Sequence, residues 1–288
     1  ILSITIPVQE IHLRSLPEIR GNWFYLDRPC ADERILGLGE AVRITASGPD
    51  RLQQLDSALQ QIHADWDWID LELTGFHPLV YTCFAFSPED RMQGSWQGMP
   101  NSGLFLPRLT LQQRDNLCTA TFSADLGKQQ DPDSIHRHWM GPFADLVAAL
   151  NQPHQPPGAK TSLARIATSS SLDQWQLLVT KAQAEITSKA LEKVVPARHL
   201  QIQAQRRLDP GQLMSTLNYL YPSSMLLATH LSGRVFVSAT PERLASCNGN
   251  SISCDAVAGT IRRSAIEQND LNLGKSLLAD PKVRHEHQ

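Results

Sequence analysis

The chain has 288 residues, 26 basic against 29 acidic side chains and a formal net charge of −3, with 41% hydrophobic residues. That is enough apolar material for a large core, and the near-neutral balance argues against an electrostatic nucleic-acid binder. No run of 18 apolar residues is present, and the opening stretch lacks the basic and continuously apolar regions of a signal peptide.

From the start, ILSITIPV alternates apolar and polar residues and predicts a strand. NWFYLDRP and ILGLGEAVRITASG are two further strand-like runs, the second closed by Gly48-Pro49. Asp50 is placed as a helix N-cap. Leu52, Leu55, Leu59, Ile62 and Trp66 then recur at helical spacing on one apolar face. LVYTCFAF is short and apolar, as suits a strand covered on both faces. The stretch 102–124 predicts a hairpin around Arg114-Asp115-Asn116, and 135–151 a helix disturbed at Gly141-Pro142. Three prolines and a glycine within 152–162 predict a linker.

Beyond it, 171–193 carries Trp175, Leu178, Val179, Ala182 and Ile186 on one helical face, and 194–205 reads as a strand headed by Lys193. Asp209-Pro210 opens a helix through Leu213, Leu217 and Leu220. SMLLATHL and RVFVSAT are strands joined at Ser232-Gly233, and a second hairpin turns at Asn248-Gly249-Asn250. A helix over about 264–278 follows, and Asp280-Pro281 opens another. Residues 1–151 and 163–288 are expected to share one α+β domain, with large, mostly antiparallel sheets flanked by helices, because both parts contribute strands that need partners. The five cysteines (Cys30, Cys83, Cys118, Cys247 and Cys254) include no CxxC, so buried free thiols in a reducing compartment, the cytoplasm, are expected rather than disulfides or a zinc site. The close pairs His136/His138 and His285/His287 do not fit a helix-face metal motif.

Three segments carry candidate chemistry: Lys193-Val194-Val195-Pro196-Ala197-Arg198, Thr240-Pro241-Glu242-Arg243 with Ala258-Gly259-Thr260, and Arg284-His285-Glu286-His287. Singly each is ordinary. A strand-head lysine is usually solvated, Pro-Glu-Arg is usually a turn with an exposed ion pair, and a glutamate in a first helical turn suits the helix dipole. In this order and spacing they resemble the chorismate-utilising enzyme family, specifically over roughly 172–288. GLGEA and HPLVYTCFAF resemble the family's N-terminal strands more loosely, with Thr82-Cys83 where a double glycine is usual.

The resemblance implies the family's α+β fold and points to its water-using, isochorismate-forming members, which carry a lysine at the position of Lys193. It makes Lys193 the general base and Glu242 the general acid. The reaction adds water at ring C2 of chorismate and expels the C4 hydroxyl. The base must be a neutral amine, favoured by desolvation or nearby positive charge, and the acid a protonated carboxyl in an enclosed site. Gly259 and Thr260 match the substrate-contacting loop, where backbone N–H groups and a hydroxyl can hold a carboxylate. Glu286 matches a carboxylate ligand of Mg²⁺, which takes few carboxylates along with water and substrate. Asp255 falls at a variable position and receives no role. The expected partner is chorismate, with neither nucleic acid nor membrane. The family pattern continues past Gln288, so the domain is expected to be incomplete. Salicylate synthase, which goes on to eliminate pyruvate, a non-catalytic module of the same fold, and an unrelated α+β domain remain the alternatives.

Overall fold

The computed structural model describes residues 1–8, 11–13, 15–127, 131–151, 162–168 and 170–287. All but Ser162 of the expected linker lies outside them. The chain forms two compact units, Ile1–Gln152 with Met214–Gln288, and Pro153–Leu213.

The first unit opens with strands β1 (Leu2–Pro7), β2 (Trp23–Arg28), β3 (Glu33–Leu38) and β4 (Val42–Ala46), then helix α1 (Arg51–Ala64). Strands β5 (Asp67–Asp70), β6 (Tyr81–Phe84), β7 (Ser102–Leu106), β8 (Leu109–Arg114) and β9 (Leu117–Ala124) follow, and helix α2 (Pro132–Leu150). The second unit holds strand β10 (Leu163–Thr168), helix α3 (Leu172–Thr187) and strand β11 (Leu200–Ala204). Helix α4 (Pro210–Leu220) starts in the second unit and ends in the first. Strands β12 (Met225–Leu231), β13 (Arg234–Thr240), β14 (Ser246–Asn248) and β15 (Ser251–Ser253), then helices α5 (Glu267–Ala279) and α6 (Pro281–His287), complete the first unit.

Its main sheet has eight strands in the order β13-β12-β2-β3-β8-β9-β1-β5, antiparallel except for the β1–β5 pair. Strand β12 pairs with β2, with Ala228 opposite Tyr25, so strands from both ends of the sequence build one sheet. Its hairpin to β13 turns on Ser232 and Gly233, both at positive φ, the backbone twist that tight hairpins favour. Asp115, also at positive φ, turns β8 into β9.

One face of the sheet carries the apolar core: Trp23, Tyr25, Leu36, Leu38, Leu109, Leu111, Phe122, Leu226 and Ala228 pack with Leu146 of α2 and Met214 of α4. The other face of β1 is polar and fully buried. Ser3 meets Ser123 at 2.7 Å and Thr5 meets Thr121 at 3.0 Å, while the indoles of Trp66 and Trp68 donate to Ser3 and Thr5. Every hydroxyl in this ladder is partnered, as burial of polar groups demands.

The fold is α+β, and several elements depart from the sequence reading. The run 35–48 is two strands, broken at Gly39 with positive φ; β3 joins the large sheet and β4 a separate sheet ordered β4-β7-β6. Strand β6, expected to be covered on both faces, is an edge strand that leaves Phe84 half-exposed and Phe86 fully exposed. Asp50 makes no side-chain cap on α1. Leu52 points outward, and the buried position beside it is taken by Arg51, which donates to the Asn101 side chain at 2.7 Å and to the Ala85 carbonyl at 2.6 Å. Helix α2 continues through Pro142, its start capped by Asp131. All five cysteines are free thiols, but of these only Cys118 is buried; Cys30 in a short turn and Cys247 and Cys254 at the uncovered β14–β15 hairpin are exposed. No described helix is long and apolar enough to cross a membrane.

Candidate active site

Four of the sequence-predicted residues belong to the first unit: Glu242, Gly259, Thr260 and Glu286. Strand β13 ends at Thr240 and delivers the chain directly into Pro241-Glu242-Arg243. Pro241 cannot donate to a ladder, so the strand stops there. The Thr240 hydroxyl then organises the turn, accepting the Glu242 N–H at 3.2 Å and donating to the Glu242 carbonyl at 3.1 Å. Both bonds use the backbone of Glu242, whose side chain stands exposed. Arg243 reaches past the β14–β15 hairpin and donates from Nη2 to Asp255 Oδ1 at 3.1 Å.

Gly259 has a φ of +69°, and a Cβ there would lie 2.5 Å from Val283 Cγ2 and 3.1 Å from Leu277 Cδ1. Val283 is a buried residue of α6, and Leu277 is in α5. The glycine therefore lets the loop backbone lie directly on both helices. Helix α6 is set by Asp280, whose Oδ1 accepts the N–H of Lys282 at 2.8 Å and of Val283 at 3.2 Å, the expected cap. Glu286 follows Val283 by three residues on that helix, with an exposed side chain. The structure thus brings the Gly259-Thr260 loop onto the helix that bears Glu286. Past Thr260, Arg263 donates from Nε to both Asp270 carboxylate oxygens at 2.7 Å, and the Ser264 N–H reaches Oδ1 at 2.9 Å. The Arg263 bonds, together with the Ser264 amide, hold the Asp270 carboxyl below the usual carboxylate range and tie the loop to α5. Substituting Gly259 with alanine is expected to cost about 1–3 kcal/mol, from the crowded Cβ and the left-handed backbone together. Urea unfolding of the variant checks this; an unchanged midpoint would mean that the loop does not rest on Val283.

Lys193 belongs to the second unit. The expected strand over 194–205 is shorter than its pattern: β11 begins only at Leu200, and Lys193 lies in an irregular segment, its side chain exposed. Pro196 accounts for this, because it removes a backbone donor midway along the run. The segment is tied to α3 at both ends. The amides of Ala190 and Leu191 donate to the Glu185 carbonyl at 3.0 and 3.2 Å, and the Arg198 guanidinium lies 5.5 Å from the centre of the Trp175 ring. Helix α3 begins with a full capping box between Ser171 and Gln174.

For the implied Mg²⁺, the described residues offer no group of three or more His, Cys, Asp or Glu side chains placed to hold a metal ion. Exposed Glu286 suits the ion as a single carboxylate among water and substrate ligands, not as part of an all-protein cage.

Two connections escaped the sequence reading: the Arg243–Asp255 pair and the seat of Gly259 on Val283. Asp255 follows a two-stranded hairpin and Val283 lies 24 positions past Gly259, so no local spacing relates either to its partner.

A family model described as chorismate binding enzyme matches residues 1–288. The isochorismate synthase MenF of Bacillus subtilis (strain 168) is 24% identical over 282 residues, covering 93% of this chain and 57% of that protein. The salicylate biosynthesis isochorismate synthase of Pseudomonas aeruginosa is 24% identical over 278 residues, with 94% and 56% covered. Among solved structures, MenF, the menaquinone-specific isochorismate synthase of Escherichia coli, shares the fold with a TM-score of 0.67 at 20% identity, over 99% of this chain and 60% of that one. The chain therefore spans less than two thirds of the length of these relatives. With the family model matched across residues 1–288, the chain belongs to the chorismate binding enzyme family.

Proposed function

We propose that this protein is an isochorismate synthase, an isomerase that interconverts chorismate and isochorismate. The observation that carries the reading is the presence, in one chain of this family, of a lysine leading the Val194-Val195-Pro196-Ala197-Arg198 run and of Glu242 at the end of β13. The relatives from B. subtilis and P. aeruginosa, both named isochorismate synthases, support it.

In this reading the Lys193 amine takes a proton from water as the water oxygen bonds to ring C2. The ring double bonds shift, the C4–O bond breaks, and the departing hydroxyl leaves as water with a proton from Glu242. Lysine and glutamate return to their starting states by proton exchange with solvent. The Gly259-Thr260 backbone N–H groups and the Thr260 hydroxyl bind a substrate carboxylate, presented by the left-handed backbone that Gly259 permits. Glu286 would hold Mg²⁺ in part, and the ion when bound would supply positive charge to offset the substrate's carboxylates. The single-domain organisation and a cytoplasmic location belong to the same proposal.

The test is to incubate the protein with chorismate and Mg²⁺ and to resolve the products. Isochorismate alone supports the reading. Salicylate with pyruvate would instead identify a salicylate synthase. Unconverted chorismate, together with no chorismate-dependent binding of Mg²⁺, would leave a non-catalytic module. For an active protein, Glu286→Ala is expected to raise the Mg²⁺ concentration needed for half-maximal rate by about tenfold or more, since even groups that only support a ligand are worth about 10–100-fold in affinity. An unchanged Mg²⁺ dependence would remove Glu286 from the metal site.

A further inference from the structure

We propose that Arg243 and Asp255 act as a positioning pair, clamping the Glu242 turn to the loop that carries Gly259 and Thr260; the kinetic part of this proposal rests on the function proposed above. The pair is exposed, and exposed ion pairs add little to overall stability. Its position matters more than its strength. It joins two segments separated by the β14–β15 hairpin, one of them adjoining Glu242 and the other running into the proposed carboxylate loop.

The loop has few other restraints. Among the described residues, the bond to Arg243 is the one side-chain hydrogen bond made anywhere in 254–262, and that stretch makes no backbone–backbone bond. Downstream it is fixed by the packing of Gly259 on Val283 and by the Arg263–Asp270 pair. Upstream, the Asp255 contact with Arg243 fixes it. On the other side of the clamp, Thr240 holds the backbone of Glu242, but no bond within the turn ties it to the loop. Loss of the clamp therefore frees the turn and the loop from each other. A general acid and a substrate-binding backbone that must meet one small molecule depend on their mutual placement, and misplacement by about 1 Å can cost as much as 100-fold.

The experiment uses Arg243→Gln, Asp255→Asn and the charge-swapped double variant Arg243→Asp/Asp255→Arg, each in the full chain. Amide hydrogen exchange is followed at 240–243 and at 256–260. Either single variant is expected to speed exchange about three- to fivefold in both segments, with recovery in the double variant. In the chorismate assay, each single variant should lower kcat and raise KM together by similar factors while leaving the thermal midpoint nearly unmoved. A purely stabilising pair would shift the midpoint and leave KM alone. Exchange that stays unchanged in both segments overturns the clamp, as does a double variant that recovers nothing the single variants lost. Should the parent protein convert no chorismate, the proposed function fails, and hydrogen exchange still decides the clamp.

Discussion

Replacing Lys193 by alanine is expected to lower isochorismate formation by a factor on the order of 10² to 10⁴, the usual worth of a positioned general base. Water is a poor nucleophile, and the amine is the group asked to take its proton. Alanine leaves nothing at that position to accept it. The fold should survive, because the Lys193 side chain is exposed. Exposed substitutions of this kind are usually within about 0.5 kcal/mol of neutral. The measurement pairs initial rates at saturating chorismate with circular dichroism and thermal melting. Full turnover by a folded Lys193→Ala protein would defeat the assignment of the base. Lost turnover accompanied by a large drop in the melting midpoint would point to a structural role instead.

Glu242→Gln is expected to cost a similar factor, on the order of 10² or more. Glutamine keeps the shape and can still donate a hydrogen bond, but it has no acidic proton to give the departing hydroxyl. The geometry makes this a clean substitution. The two bonds that shape the turn run from the Thr240 hydroxyl to the backbone N–H and carbonyl of residue 242, so neither is lost. Arg243 keeps its bond to Asp255. A loss of rate therefore reports on the carboxyl and not on a collapsed turn. Comparable rates for the glutamine variant and the parent would remove Glu242 from the reaction.

Much of the architecture was legible before any coordinates. Asp209-Pro210 and Asp280-Pro281 open helices where expected, and Ser232-Gly233 and Gly249-Asn250 turn hairpins where expected. These are local events, decided by backbone preference within a few residues. The motif residues were equally visible, since motif and spacing are properties of the sequence.

What covers each face was not legible. The alternation in ILSITIPV correctly predicts β1, yet Ser3 and Thr5 are its most deeply buried residues, because a hydroxyl ladder with Ser123 and Thr121 lies behind them. Likewise the apolar run at β6 becomes an exposed edge, and Arg51 rather than Leu52 turns inward because Asn101 and the Ala85 carbonyl accept its charge-assisted bonds. Periodicity states which residues share a face; it is silent about the partner across it.

Local pattern was enough to point to the family, to place the Asp209 and Asp280 helix starts and the Ser232-Gly233 turn, and to supply the residue types for acid–base chemistry. Only the tertiary structure decided that Arg243 finds Asp255, that Gly259 rests on Val283 beside Glu286, and that the buried side of β1 is polar. Contacts between residues far apart in sequence depend on how the sheets and helices pack, and packing is a property of the whole assembled surface, which no local window of residues contains.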